Sequence, residues 1–361
     1  MTYPPPSFDH LVRLSDGTGV FEHADGAAPS RGGGYCLDDL ARVFVVALRE
    51  PTWPPALRRL LRTCFAFIVR AQVPDGRFHN RLSAAPESRW LDEVGSDDAN
   101  GRALCALGHA VHSVDWRFAE PALVAFKAGA GFDFPSPRAN AWAAIGASEV
   151  LSSLPGNRAA TSLLERAVPR LGMLSPDPRW PWPERRLAYD NPRLAEARIA
   201  AGTALDDRRL IEEGLTLLGW LIAVETNVNH FSFTPVGGWE PGEPRPGYDQ
   251  QPIEAGSMAD ACARAYEATG DRRWAHSCLQ AASWFLGAND AGIPLLDPET
   301  GGCHDGLGPG GCNANEGAES ATALIGALQH ARELQRPAPT GIVDVPRPLI
   351  YGPSHATRNT W

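Results

Sequence analysis

Hydrophobic positions along this chain fall into two helical patterns that alternate. In the first, one face is apolar and the other is wet. Within 55–72, Leu57, Leu60, Leu61, Cys64, Ile68 and Ala71 recur at three- and four-residue spacing, and Pro55 suits the first turn. Leu210, Gly214, Leu217, Leu218 and Leu221 repeat the pattern in 206–223. Trp274, Cys278, Ala281 and Phe285 repeat it in 271–286, with Gly287 as a stop signal. Segments 117–129 and 158–172 follow it less cleanly. In the second pattern the residues are small, apolar almost all round, and polar only at the start. These segments are 36–49, 97–114, 138–153, 192–203, 252–269 and 315–334. A helix apolar on every side belongs in an interior. Each, except the last, is followed after a short connection by an amphipathic one. The alternation predicts an all-α fold, an (α/α)6 toroid of helical hairpins, with short strands in loops near 229–239 and 291–305. No sixth outer helix is evident, so a terminal segment is expected to close the ring.

The toroid is expected to occupy 1–335 as one domain, with a Pro-rich C-terminal tail at 336–361 that includes Pro346-Arg347-Pro348. No linker divides the remainder. Residues 1–32 read as irregular. Ser15–Ala24 within them is either a loop laid over a binding surface or a solvated lead-in, and the solvated reading is preferred.

Each buried segment opens on polar residues. The first has Asp38, Asp39 and Arg42; the second has Ser96, Asp97, Asp98 and Arg102. The third has Arg138 and Asn140, and the fourth follows Asp190-Asn191-Pro192. The fifth opens with Tyr248-Asp249-Gln250-Gln251-Pro252-Ile253-Glu254, where Pro252 starts the helix. The sixth follows Asn315-Glu316-Gly317-Ala318-Glu319-Ser320. Taken singly, such clusters are ordinary N-caps, and first-turn acids complement the helix dipole. Capping does not account for Arg42 and Arg102, one turn deeper on nearly apolar helices. Buried charge is costly unless paired or facing a cavity. Parallel inner helices would bring all six clusters to one mouth.

Carboxylates, amides and arginines in such a mouth match the hydroxyls of a polyol. Trp90, Trp142, Trp182 and Trp239 lie in or beside the connecting loops and could stack on sugar faces. Two opposed carboxylates could act as general acid and base on a glycosidic bond.

Composition narrows the partners. The formal charge is −9 with both signs interspersed, which argues against nucleic acid and anionic membrane surfaces. Seven scattered cysteines, no leader pattern at Met-Thr-Tyr-Pro and no long apolar run make a reduced, cytoplasmic protein the default. Cys303, His304, Asp305 and Cys312 lack the paired spacing of a structural zinc site. The Gly32-Gly33-Gly34 run lacks the ending of a phosphate loop. No metal and no cofactor are expected. The oligomeric state is not legible.

The motifs Gly34-Tyr35-Cys36…Asp38-Asp39…Ala41-Arg42, Gly95-Ser96-Asp97-Asp98…Gly101-Arg102-Ala103 and Tyr189-Asp190-Asn191 occur together with Asp249-Gln250-Gln251-Pro252-Ile253-Glu254-Ala255, Thr300-Gly301-Gly302-Cys303…Asp305-Gly306-Leu307 and Gly317-Ala318-Glu319-Ser320. As a set, over roughly 15–332, they resemble the six-hairpin glycosidase superfamily. Within it they are similar to a bacterial glycosidase-like, glycosyltransferase-associated group, departing from its pattern at Leu40 and Glu316. The resemblance implies a toroid with its carbohydrate site at the N-terminal ends of the inner helices.

The expectation is therefore a carbohydrate-active enzyme with a saccharide substrate, hydrolysing a glycosidic bond. Asp98 and Asp249 are the first candidates for the acid/base pair, with Asp39 and Glu254 next. Asp38, Arg42, His79, Arg102, Asp190, Asn191, Trp239, Gln250, Gln251 and Glu319 are the candidate substrate-binding residues. Two alternatives stay open. One is a sugar epimerase or isomerase using His79, His230 or His304. The other is a non-catalytic saccharide-binding partner of a glycosyltransferase.

Overall fold

The computed structural model describes residues 2–113 and 115–336; beyond Arg336, the expected tail lies outside the described residues. The described residues form twelve α-helices: α1 (Asp9–Arg13), α2 (Leu37–Leu48), α3 (Pro55–Ala71), α4 (Asp97–Val111), α5 (Trp116–Gly129), α6 (Pro137–Ser153), α7 (Arg158–Arg170), α8 (Pro192–Leu205), α9 (Arg208–Glu225), α10 (Pro252–Thr269), α11 (Arg272–Trp284) and α12 (Ala318–Gln335). Helices α2, α4, α6, α8, α10 and α12 pack in that order into an inner ring, and α12 closes it against α2. Helices α3, α5, α7, α9 and α11 lie outside, each against the inner helix that precedes it. This is an (α/α)6 toroid. The sixth outer position is taken by the N-terminal segment, where α1 packs on α12 and α3. Upstream of it, the Tyr3 hydroxyl donates to the Leu279 carbonyl at 2.9 Å.

Burial separates the two layers as the hydrophobic pattern requires. In α4, twelve of fifteen residues are buried; in α9, six of eighteen are. Small residues let the inner helices approach closely. A Cβ on Gly108 would stand 2.1 Å from the Gly146 carbonyl oxygen, and one on Gly146 would stand 2.4 Å from that of Leu104. Helices α4 and α6 therefore meet backbone to backbone, and only glycine fits at the crossing.

The inner helices begin where their caps place them. Ser96 Oγ accepts the Ala99 N–H at 3.2 Å, and Ser136 Oγ accepts the Ala139 N–H at 3.3 Å. Helices α6, α8 and α10 start on Pro137, Pro192 and Pro252, whose missing N–H is no loss there.

Four two-stranded antiparallel pairs decorate the loops: Ala24–Asp25 with Ala28–Pro29, Tyr35–Cys36 with Arg81–Leu82, Thr226–Asn227 with His230–Phe231, and Leu307–Gly308 with Gly311–Cys312. The last falls after the expected 291–305, because Asp297 accepts the Glu299 and Thr300 amides and folds that stretch into a turn. Ser15–Ala24 is not a solvated lead-in. Val20 and Phe21 are buried, and Glu22 makes a two-pronged ion pair with Arg81 at 2.5 and 2.8 Å. No helix among the described residues is long and apolar enough to cross a membrane.

Candidate active site at the toroid mouth

Bonds between the starts of the inner helices run almost completely round the ring. Arg42 of α2 pairs with Glu319 of α12 at 2.9 Å. Asp38 of α2 accepts from Arg102 of α4 at 2.9 Å. Asp98 of α4 accepts the Ser136 hydroxyl, the cap of α6, at 2.7 Å. Trp142 and Arg138 of α6 donate to Asp190 and Asn191, ahead of α8, at 3.0 and 3.2 Å. Glu254 of α10 accepts the backbone amides of Asp190 and Asn191. One end of the toroid is thus a polar rim, built from residues far apart in the chain.

Arginine distribution decides which carboxyls keep their protons. Burial would raise Asp38, but Arg102 and Arg42 outweigh it and hold the carboxyl below the usual range. Asp190 is lowered in the same way, with Arg193 and Arg102 overcoming burial. Asp39 goes the other way and is pushed up to about 8, first by burial, against the pull of Arg42. Arg42 faces two carboxyls, Asp39 at 2.7 Å and Glu319 at 2.9 Å. Glu319 is the more solvated of the two; Asp39, the more deeply buried, keeps its proton further up in pH. Asp98 is also raised by burial, against Ser136 and Arg102.

Asp39 makes stability depend on pH with a definite sign. Its folded pKa lies above its unfolded value, so between about pH 4 and pH 8 the native state holds a proton that the unfolded chain has released. That contribution is present in full below this window and lost across it as pH rises. Asp39→Asn, a neutral isostere, removes it. Urea melts at pH 5, 7 and 9 are expected to show the variant gaining on the parent as pH rises. A difference that stays constant across the three would refute the assignment.

Below the rim, a charged line descends the axis and draws in five of the six inner helices. Arg193 reaches Asp190, Glu196 and Asp260. Asp260 also holds Arg49 at 2.8 Å and His330 at 2.7 Å. Glu196 and Glu149 share Arg264. The cavity along this line is about 60 Å³, bordered by Arg42, Arg102, Trp142, Arg193 and Asp260. It admits a few waters or a hydroxymethyl arm, not a sugar ring. A saccharide would therefore sit above it, on the rim. The Nε and Nη2 of Arg102 line the cavity buried and without hydrogen bonds, Nη2 lying 3.7 Å from Asp190.

The predicted residues divide by access. Asp38, Arg42, Asp98, Gln251 and Glu319 are half-buried at or near the rim, and Asp39 is buried just beneath. Asp249 is exposed on the loop before α10, with no side-chain partner. Helix α10 stands opposite α4 in the ring, so Asp249 and Asp98 belong to opposed sides. Gln250 is enclosed: its Oε1 accepts from Phe233 N–H and Trp284 Nε1, and its Nε2 donates to Gly247 and Asp290. Asn191 is likewise enclosed, and Glu254 is spent on backbone amides. Burial, then Glu225 and Asp190, drive Glu254 well above the ordinary carboxylate range.

His79 stacks on Trp90 with centroids 4.7 Å apart, its Nδ1 at 2.8 Å from the Asp92 carbonyl. Trp239 joins an aromatic cluster with Trp180, beside an open cleft of about 440 Å³ lined by Trp180, Glu184 and Glu240. Trp182 is core at 1% exposure, and the indole face of Trp142 is covered by the Arg193 guanidinium at 3.9 Å, so neither offers a sugar platform. Cys303 and Cys312 donate to the His304 and Pro294 carbonyls, and Asp305 caps α12 through Gly317 and Ser320. Sequence reasoning missed Arg49, Glu149, Glu196, Asp260 and Arg264. A charged residue deep in an otherwise apolar helix was the available signal.

The ring order and the inner and outer helix layers define the class of fold: an (α/α)6 toroid of six hairpins. Solved structures agree with this fold. A cellobiose 2-epimerase from Bacillus thermoamylovorans superimposes with a TM-score of 0.69 at 10% identity, over 90% or more of each chain (91% of this one, 96% of that one). A D-mannose isomerase gives 0.67 at 13% identity, over 90% of this chain and 94% of its own. A family 76 α-mannanase from Bacteroides thetaiotaomicron gives 0.63 at 11% identity, over 90% and 92%. No family model matches the chain, and no sequence relative was found among curated proteins.

Proposed function

We propose that this chain is a carbohydrate-active enzyme that hydrolyses a glycosidic bond held across the rim. Asp98 is the general acid and Asp249, from the opposed side of the ring, the general base. The observation that carries this reading is the state of Asp98. One oxygen is fixed by Ser136, the other has no hydrogen bond, and burial keeps the carboxyl protonated further up in pH than an ordinary aspartate. A raised carboxyl at a solvent-facing rim suits protonation of a leaving oxygen. The edge of Arg102 that makes no hydrogen bond among the described residues is a two-pronged donor for a hydroxymethyl oxygen reaching down into the cavity, and Asp38 and Glu319 are acceptors for hydroxyls. Glu254 acts as a positioning residue, holding the Asp190 backbone and through it Trp142.

Epimerisation is the second reading, and His79 favours it. Its Nδ1 is taken up by the Asp92 carbonyl at 2.8 Å, which leaves Nε2 as the ring nitrogen available to a substrate. Incubation with gluco- and manno-configured oligosaccharides, followed by NMR in D₂O, separates the two. Hydrolysis releases a new reducing end with no deuterium at C2, and His79→Ala leaves the rate within about threefold of the parent. Deuterium incorporation at C2 that disappears in His79→Ala would replace the hydrolytic reading with the epimerase one.

A further inference from the structure

On the approach to α12, Asp297, His304 and Glu316 bring one ligand-capable atom each to within 4.8 Å of one another. They come from three separate pieces of chain: the turn after Leu296, the residue that follows the Leu296–Cys303 bridge, and the approach to α12. The His304 Nδ1 is buried and has no hydrogen-bond partner. Glu316 is 2% exposed and accepts the Thr300 hydroxyl at 2.7 Å. Its carboxylate fits only because residue 302 is glycine, where a Cβ would stand 2.1 Å from Glu316 Oε2.

Two buried or half-buried carboxylates side by side call for a cation. Among the described residues, no arginine or lysine lies within 4.0 Å of either one. His10, at 3.6 Å from Glu316, is already engaged. Its Nε2 faces the Glu316 carbonyl at 2.8 Å and its Nδ1 faces Arg13 at 3.1 Å. The Asp297 and Glu316 side chains are in hydrogen-bond contact, and all three ligand-capable atoms lie within 4.8 Å of one another. Ligands of one tetrahedral ion bonded at about 2.1–2.2 Å stand roughly 3.4–3.6 Å apart, so small side-chain rotations bring all three atoms onto one shared ion.

We propose that Asp297, His304 and Glu316 form a divalent-cation site. One imidazole with two carboxylates suits zinc or manganese better than magnesium or calcium, which prefer all-oxygen shells. The ion fixes the residues leading into α12, whose first turn carries Glu319 to Arg42 at the rim. The site stands or falls independently of the hydrolytic reading.

The test uses the full chain, stripped with EDTA and titrated calorimetrically with MnCl₂ and with ZnCl₂. One ion per chain is expected, at micromolar or tighter affinity for at least one metal, together with a rise in melting temperature. His304→Gln and Asp297→Asn are each expected to weaken binding at least tenfold while the metal-free melting temperature stays at the parent's. Cys312→Ser is expected to bind as the parent does. Absence of stoichiometric uptake, unchanged affinity in His304→Gln, or loss of uptake in Cys312→Ser would each overturn the proposal. If the point variants fold poorly, an unchanged melting temperature of the parent on adding either metal overturns it as well.

Discussion

Asp98→Asn is expected to lower the rate of hydrolysis of an unactivated oligosaccharide by about 10²–10⁴-fold, the usual contribution of a positioned general acid. The amide keeps the acceptor for Ser136 and nearly the same volume, so the rim should survive the change. What disappears is the proton. The loss should therefore depend on the leaving group. An aryl glycoside whose phenol leaves without protonation should recover most of the rate, whereas the natural alcohol should not. The pH profile adds a second check. In the parent the rate should fall on the alkaline side as Asp98 ionises, and the variant should lack that limb. Equal losses on both substrate types would move Asp98 from proton transfer to binding. A rate within threefold of the parent on both would remove it from the site.

Arg193→Met is expected to cost about 3–5 kcal/mol of folding stability, the size seen when one partner of a buried ion pair is removed. Arg193 is 4% exposed, and its guanidinium serves Asp190, Glu196, Asp260 and the Ser257 hydroxyl while lying on Trp142. Methionine restores much of the volume but leaves Asp190, Glu196 and Asp260 each with one cation fewer in a low-dielectric interior. Against a net stability of about 5–15 kcal/mol for a typical domain, that is about a fifth or more. The sign of its pH dependence follows from which state is charged. Asp190 and Asp260 are held below the ordinary range by their arginines, so they are ionised when Arg193 is lost. As pH falls they take up protons and the penalty shrinks. Urea denaturation at pH 7.5 and pH 5 should show the larger deficit at the higher pH. A loss under about 1 kcal/mol at both would mean that solvent reaches the axis and the arginine is not a tie.

The hairpin order was legible in the sequence because burial is encoded by pattern. Leu57, Leu61 and Ile68 mark one face of α3, while α4 offers no polar face below Arg102 until His109. The closing segment was harder to see. Helix α1 is only five residues long, too short to show a period, and it holds its place through contacts with α12 and α3. Within the polar clusters, sequence could say which residues gather but not which way they face. Gln250 and Asp249 are neighbours with the same apparent promise. The bridge between Gln250 and Leu307 turns the glutamine into the core and leaves the aspartate outside. Glu254 looked like a second catalytic carboxyl for the same reason, yet the amides of Asp190 and Asn191 reach it from a loop sixty residues away in sequence. His304 and Glu316 were each singled out, but their grouping with Asp297 was not legible because no short spacing joins the three; the turn at 297–302 brings them together.

The first and last inner helices are neighbours, and this sets an order on biosynthesis. Helix α2 leaves the ribosome early, carrying Arg42 and Arg49, while Asp260 and Glu319 arrive more than two hundred residues later. Until then each guanidinium can remain hydrated, and the nascent hairpins form an open arc with apolar flanks at both ends. Final docking of α12 buries these charges and covers the flanks in a single event, so a stalled or shortened polypeptide would resemble a sticky horseshoe more than a smaller version of the finished protein.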